Sequence, residues 1–154
     1  MSTSKAGGLT SILVPCCDQV AFTRACLRAL FRFTRPDWEL IVIDNGSTDA
    51  TPDYLAGIRD AASVPVTILT NAENLGFPRA INQGLQAARG DDLVLLNNDA
   101  VVTDGWLDQL LALSRAPGRT SDREGIRTEA CCSARWSRSP ARSRAVRLVG
   151  RSGR

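Results

Sequence analysis

Three consecutive polar residues, Asn97, Asn98 and Asp99, follow directly after the apolar run Leu93–Leu96. Carboxylate and amide oxygens are the ligands that a hard divalent cation takes, usually with phosphate oxygens and water completing the shell. The triplet therefore predicts a divalent metal, Mg²⁺ or Mn²⁺, held by Asp99 and assisted by Asn97. Asn and Asp also end strands and begin turns without binding anything. Taken alone, the triplet is more typical of a turn than of a metal site.

Two charged residues elsewhere in the chain would complement such a cation. Asp44 ends the apolar run ELIVID and could accept hydrogen bonds from the N–H of a nucleotide base or from a ribose hydroxyl. Arg79 stands at the expected start of a helix, where a guanidinium and the helix N-terminus both favour a diphosphate. Taken with Asp99, these residues predict a nucleoside-diphosphate site.

The residues must be positioned by elements that alternate along the chain. Short, nearly continuous apolar runs predict four strands, at Leu9–Pro15, Glu39–Asp44, Val64–Leu69 and Asp92–Leu96. Helical spacing of apolar residues follows each strand or turn. The first helix is indicated by Phe22, Cys26, Leu30 and Phe33, with Asp18 as its cap, and the second by Pro52 in its first turn. The third is indicated by Ile81, Leu85 and Ala88 after Pro78, with Gly90 as its terminator. The fourth is indicated by Trp106, Leu107, Leu110, Leu111 and Leu113, with Thr103 or Asp104 as its cap. Strands of this kind between helices predict an α/β doubly wound fold with a mostly parallel sheet.

This fold class predicts where a ligand binds. In open parallel sheets the ligand lies beyond the carboxyl ends of the strands. Three of the four predicted strand ends carry an aspartate there, namely Asp18, Asp44 and Asp99. We therefore expect these side chains to share one edge of the sheet.

The chain divides into two segments of unlike charge. Residues 1–113 hold eight basic and thirteen acidic residues, a net charge of −5, whereas residues 114–154 hold eleven Arg and three acidic residues, a net charge of +8. The basic segment shows no lasting helical or strand period. We expect a domain over residues 1–113 and an irregular Arg/Ser-rich tail over 114–154. The tail is either disordered, a nucleic-acid-binding arm, or an out-of-frame translation of a GC-rich gene.

Several classes of function are excluded or disfavoured by what the sequence lacks. No His is present, so general acid–base and metal chemistry fall to carboxylates, amides, Cys or Tyr. The five Cys match neither a zinc spacing nor a disulfide framework, which favours buried thiols in a reducing compartment. Neither a P-loop nor a G-x-G-x-x-G motif occurs. No signal peptide or membrane-spanning run is found, so a cytoplasmic location, with or without attachment at a membrane surface, is expected.

Four motifs in series resemble the nucleotide-binding half of the family 2 glycosyltransferases, which have the GT-A fold. They are SILVPCCDQ, ELIVIDNGSTDAT, NAENLGFPRAINQGLQAARGD and LVLLNNDAVVTDGWLDQLL, and they span residues 10 to about 113. The resemblance implies a Rossmann-like sheet and a nucleoside-diphosphate sugar as donor. It implies that Pro15 lies near the base, that Asp44 binds the base or ribose, and that Arg79 approaches the diphosphate. Asn97, Asn98 and Asp99 resemble the family's D-x-D motif, with Asp99 as the metal-binding carboxylate and Asn98 beside the substrate.

The resemblance also shows departures. Cys16, Cys17 and Asp18 stand where many members have an aromatic residue and an Asn after the first proline. Nothing after Leu113 is similar to the family's acceptor-binding half, which carries the catalytic base. The expectation is therefore an inverting glycosyltransferase that binds its donor but transfers little or no sugar to an acceptor hydroxyl of a glycan, lipid or protein. A nucleotidyltransferase-like protein, or nucleic-acid binding through the tail, is the alternative; a nucleic-acid partner is disfavoured because it leaves the aspartates unexplained.

Overall fold

A computed structural model describes residues 8–35 and 37–115, together with the backbone of residues 144–148. Strands and helices alternate along this part of the chain. They are β1 (Thr10–Cys16), α1 (Val20–Phe33), β2 (Trp38–Asn45), α2 (Thr51–Ala61), β3 (Val66–Asn71), α3 (Phe77–Ala87), β4 (Asp92–Leu96), α4 (Trp106–Arg115) and β5 (Arg144–Leu148). The four strands and four helices expected over residues 1–113 are all present. The observed ends of these strands differ from the predicted ends by at most two residues.

The strands form one parallel sheet in the order β3-β2-β1-β4-β5. The chain adds β2 and β3 on one side of β1 and then returns to place β4 on the other side. This reversal beside β1 is the topological switch point of a doubly wound sheet, next to which ligands bind. The predicted α/β fold with a parallel sheet is confirmed.

The two faces of the sheet are covered by different helices. Alternate residues of β1 divide between them, Ile12 and Val14 packing with α1, α2 and α4, and Leu13 packing with α3. Helix α3 lies close to the sheet because Gly84 leaves no side chain there; a Cβ at this position would stand 2.9 Å from Ile43 and Leu13 side-chain carbons. Consecutive side chains of a β-strand point to opposite faces of the sheet, so a nearly all-apolar strand is buried against helices on both faces.

Helix α1 is present where predicted, but its buried face differs from the expected one. Phe22 is 53% exposed, whereas Thr23 next to it is fully buried, together with Cys26 and Leu27. Cys26 and Leu30 are buried as the spacing indicated, but Thr23 rather than Phe22 faces the core, and its hydroxyl oxygen accepts a hydrogen bond from the side chain of Asn98. Leu27 and Leu30 are each 0% exposed, and burying a leucine contributes about 1.5–3 kcal/mol.

Two predicted helix ends are formed by other residues. Asp18 does not cap α1; the N-cap position is Gln19, and the Val20 N–H is taken by Asp49 from a different loop. Gly90 does not end α3, whose C-cap is Ala88. Gly90 instead lies against β1, where a Cβ would stand 2.6 Å from the Leu9 carbonyl oxygen. The small residue at position 90 thus serves strand packing rather than helix termination.

A buried carboxylate, that of Glu39, holds the strands together at the end of the sheet where they begin. Glu39 in β2 accepts hydrogen bonds through Oε1 from the Ser11 hydroxyl (2.6 Å) and the Arg89 N–H (2.8 Å), and through Oε2 from the Arg89 Nε (2.9 Å) and Nη2 (2.7 Å). Ser11 in turn accepts the Gly90 N–H at 2.8 Å. This network joins β1, β2 and the connection between α3 and β4.

Residues 144–148, in the basic segment, form a strand that the sequence did not predict. Strand β5 (Arg144–Leu148) pairs in parallel with β4, from Asp92 opposite Arg144 to Leu96 opposite Leu148. Five residues are too few to show a lasting period, which is why the strand was missed. Helix α4 extends to Arg115, and residues 116–143 and 149–154 lie outside the described residues, so the disorder or out-of-frame origin of the tail stays a prediction. None of the helices in the described ranges is long and apolar enough to cross a bilayer.

Candidate functional site

The crevice of this fold opens between β1 and β4. Their ladder pairs Thr10 with Asp92 and ends at Leu13 opposite Leu95, whereas β1 stays paired with β2 as far as Cys16 opposite Asp44. Beyond Leu13 the carboxyl ends of β1 and β4 are therefore not bonded to each other. Pro15, which has no N–H to donate, lies in β1 just past this point, where a ladder bond is not required.

The sequence-predicted residues lie along this same edge of the sheet. Asp44 is the next-to-last residue of β2, and Asp99 follows β4; β1 lies between these two strands, which are therefore about two strand spacings, roughly 10 Å, apart. Arg79 lies in the first turn of α3, which runs antiparallel to the strands and therefore begins at this edge; its side chain is exposed. The structure brings Asp44 and Asp99 to one edge, as the α/β pattern required.

Asp99 is a carboxylate at this edge with an unmet bonding requirement. Its Oδ1 is buried and has no hydrogen-bond partner among the described residues. A buried carboxylate oxygen without a partner is costly, and a cation would satisfy it. Within the described ranges no group of three or more His, Cys, Asp or Glu could hold a metal. A cation at Asp99 would therefore need its other ligands from a bound molecule and from water.

The two asparagines before Asp99 attach this segment to α1. The Asn98 amide donates from Nδ2 to Thr23 Oγ1 at 3.0 Å, and the Asn97 carbonyl accepts the Cys26 thiol at 3.7 Å. The roles of Asn97 toward the metal and of Asn98 toward the substrate stay predictions. The contacts themselves fix the position of the Asp99 backbone relative to α1.

Asp44 is 1% exposed and is held by its own turn. Its Oδ1 accepts the Ser47 N–H at 3.0 Å, which leaves Oδ2 for a ligand that donates a hydrogen bond. The turn contains Gly46 at φ 80°, where a Cβ would stand 2.5–2.7 Å from the backbone of Glu73 and Asn74. Only glycine meets both the positive φ and the close approach.

An amide network that the sequence analysis did not identify holds the connection between β3 and α3. The Asn45 Oδ1 accepts from Asn71 Nδ2 (3.0 Å) and from the Leu75 N–H (3.1 Å), and Asn45 Nδ2 donates to Asn74 Oδ1 (2.8 Å). Asn71 and Gln83 exchange a pair of bonds at 2.8 and 2.9 Å. These bonds fix the segment that leads to Arg79. The clustering of Asn in NAEN and after ELIVID was the available signal.

The two buried thiols near the edge, Cys16 and Cys26, are poor nucleophiles because burial disfavours their thiolate forms. Burial, followed by the charge of Asp44, raises the pKa of Cys16 to about 12. Burial, followed by the charge of Asp99, raises the pKa of Cys26 to about 12. Cys17 is partly exposed, and burial first and Asp18 second raise its pKa as well. The three are free cysteines, in line with the expected reduced thiols; Cys131 and Cys132 lie outside the described residues.

Comparison with known proteins places this geometry in a family. The model of glycosyl transferase family 2 matches residues 11–124. Among curated proteins, the putative glycosyltransferase EpsH of Bacillus subtilis is 29% identical over 66% of this chain and 29% of its own length. A PGL/p-HBAD biosynthesis glycosyltransferase of Mycobacterium tuberculosis is 34% identical over 61% of this chain and 36% of its own length.

Solved structures share the fold. The mannosyltransferase PcManGT from Pyrobaculum calidifontis, in complex with GDP-Man and Mn²⁺, superposes with a TM-score of 0.68 at 21% identity, over 73% of this chain and 34% of that one. TarS of S. aureus, residues 1–349 in complex with UDP-GlcNAc, gives 0.61 at 21% identity, over 68% and 30%. The chain thus spans about a third of the length of these relatives. With the family model matching well over half of its residues, the chain belongs to glycosyl transferase family 2.

Proposed function

We propose that the described residues form the donor-binding part of an inverting glycosyltransferase, which moves a sugar from a nucleoside diphosphate to an acceptor hydroxyl. The single observation that carries the proposal is the buried, unpartnered Oδ1 of Asp99 beside the crevice between β1 and β4. A cation bound there supplies Lewis-acid stabilisation of the diphosphate that departs. Family membership supports the reaction type.

In this proposal the ligand lies along the strand ends with its nucleoside toward Asp44 and its diphosphate toward Asp99. A carboxylate at Asp44 accepts hydrogen bonds and donates none, so it can accept from the ring N–H of uracil or guanine, or from the exocyclic NH₂ of another base. The two solved structures of the same fold bind GDP-Man and UDP-GlcNAc, whose bases carry a ring N–H, and we therefore expect a uracil or guanine nucleotide here. Pro15 lies beside the base, Asn97 assists Asp99 in holding the metal, and Asn98 lies beside the substrate.

Arg79 is proposed to meet the diphosphate. Its guanidinium is exposed in the first turn of α3, where the helix dipole adds a partial positive charge. A diphosphate bound between Arg79 and a cation at Asp99 would have its negative charge offset from two sides. We further propose that the acceptor is a hydroxyl of a glycan, lipid or protein. The proposed location is the cytoplasm, with or without contact with a membrane surface.

The test is calorimetric titration of the chain with UDP, GDP, ADP and CDP, each with and without Mg²⁺ or Mn²⁺. We expect UDP or GDP to bind, and to bind more tightly with metal. Asp99→Asn should abolish the metal-dependent gain and weaken binding by at least about tenfold. The matched control Asp91→Asn removes an exposed carboxylate near the other end of β4 and should leave affinity unchanged. Equal affinity of wild type and Asp99→Asn in the presence of metal would refute the proposal.

A further inference from the structure

The connection between β1 and α1 has an unusual backbone. Asp18 and Gln19 have φ values of 54° and 58°, so two consecutive residues other than glycine occupy the left-handed region. Such conformations are strained and persist only where surrounding contacts hold them, and they concentrate at functional sites. These residues directly follow Cys16 and Cys17, at the end of β1 that borders the crevice.

The contacts that hold this backbone come from the turn after β2. The Asp18 N–H donates to Ser47 Oγ at 2.8 Å, and Asp18 Oδ1 accepts the N–H groups of Thr48 (2.6 Å) and Asp49 (3.2 Å). Each segment therefore donates to the other. We call Asp18, Ser47, Thr48 and Asp49 the interloop clamp.

Asp49 completes the clamp from the opposite direction. Its Oδ2 accepts the N–H of Val20, the first residue of α1, at 2.9 Å, and its Oδ1 accepts the N–H of Thr51, the first residue of α2, at 2.9 Å. The hydrogen bonds from Thr51 and Val20 hold the pKa of Asp49 below its ordinary value. One carboxylate thus binds the start of both helices, where negative charge is favoured.

Ser47 connects the clamp to Asp44. Its Oγ accepts the Asp18 N–H, while its own N–H donates to Asp44 Oδ1 at 3.0 Å. Asp44 stands opposite Cys16 in the register of β1 and β2. The clamp therefore sets how the end of β1 lies relative to the carboxylate of Asp44, although none of its own groups needs to touch a ligand there.

We propose that Asp18 and Asp49 are positioning residues for donor binding: the interloop clamp holds the turn of Asp44 and the end of β1 in the arrangement that receives the nucleoside. This inference rests on the proposed function. A site that is already ordered before binding loses less conformational freedom when the ligand arrives, and its affinity is correspondingly higher.

The test compares two substitutions of Asp18 by titration with a nucleoside diphosphate and with the corresponding nucleoside. Asp18→Gly removes the acceptor without strain, because glycine adopts positive φ freely. Asp18→Asn keeps an Oδ1 acceptor and also tolerates the left-handed region. We expect Asp18→Gly to weaken both ligands by a similar factor, about tenfold, and Asp18→Asn to restore affinity to within about threefold of wild type.

Two further variants separate positioning from other effects. Arg79→Ala should weaken the diphosphate and leave the nucleoside unaffected. Arg89→Ala removes bonds to Glu39 at the opposite end of the sheet, so it lowers stability without touching the clamp. If Asp18→Gly does not fold, Ser47→Ala removes one acceptor of the clamp and should show the same equal loss for both ligands, at smaller size.

The outcomes are distinguishable. If wild type binds and Asp18→Gly binds equally well, the positioning role is wrong and the proposed function stands. The positioning role is also wrong if Asp18→Asn is as impaired as Asp18→Gly, or if Arg89→Ala weakens the nucleoside as much. If wild type binds no nucleotide with any metal, the proposed function fails and the positioning role fails with it.

Discussion

Substitution of Glu39 measures how much the buried network contributes to the stability of the sheet. The Glu39 side chain is 2% exposed, whereas that of its ion-pair partner Arg89 is 65% exposed. Glu39→Ala removes the acceptor of the fully buried Ser11 hydroxyl and of the Arg89 N–H. Each donor left without a partner costs about 1–3 kcal/mol. The guanidinium can turn to water, so we expect a total loss of about 4 kcal/mol.

Two milder substitutions show how much of this loss of stability comes from each partner of Glu39. Glu39→Gln keeps an oxygen for Ser11 and the Arg89 N–H but turns an amide NH₂ toward the guanidinium, and should cost about 2 kcal/mol. Arg89→Ala leaves a buried carboxylate with two of its four hydrogen bonds, and should also cost about 2 kcal/mol. The assay is urea unfolding followed by far-UV circular dichroism, with a common m value. A loss below about 0.5 kcal/mol for Glu39→Gln would refute the reasoning.

The pH dependence gives an independent check of the same network. Burial raises the pKa of Glu39, but the hydrogen bonds from Ser11 and Arg89 and the charge of Arg89 outweigh it, so the pKa lies below its ordinary value. A carboxyl with a lowered folded-state pKa stabilises the fold above its unfolded-state pKa, about 4.3, and this stability is lost as the pH falls through the folded-state pKa. The difference between wild type and Glu39→Gln should therefore be full at pH 6 and shrink below pH 4.

Three further outcomes follow from packing. Gly46→Ala should destabilise the chain by about 2 kcal/mol or more and weaken nucleotide binding, since its Cβ would meet the backbone of the next loop; unchanged urea midpoint and affinity would contradict this. Leu27→Ala should cost about 2–5 kcal/mol in urea unfolding, while Phe22→Ala, on the exposed side of the same helix, should cost less than about 0.5. In the folded chain at pH 8, iodoacetamide should modify Cys17 well before Cys26, as peptide mass spectrometry would show; equal rates would mean that Cys26 is not buried.

The parts of the fold that the sequence predicted are those whose signal is local. Strand β4 was placed without error because its apolar run is bounded by polar residues on both sides. The common edge of Asp44 and Asp99 followed from topology, since parallel strands end together whatever their exact length. In α1 the apolar spacing included Phe22, which is exposed, and left out the neighbouring Thr23, which is buried.

The parts that could not be predicted depend on contacts between distant segments. Asp49 binds the start of α1 from 29 residues away, and Arg89 meets Glu39 across 50 residues. Neither spacing leaves a mark in helical or strand periodicity. The interloop clamp was missed for the same reason: Asp18 was assigned to its own helix, whereas its carboxylate serves the next loop.

The central position of β1 has a consequence for synthesis of the chain. Strand β1 is made before β4 and must leave one side open until β4 arrives, and the Gly90 N–H reaches Ser11 across 79 residues. At about 5–20 residues per second, roughly 4–16 s pass on the ribosome between the two. During that interval β1, β2 and β3 can associate while the other flank of β1 stays unpaired, available to another nascent chain. The crevice can thus form only once β4 has joined β1, after β2 and β3 are already in place.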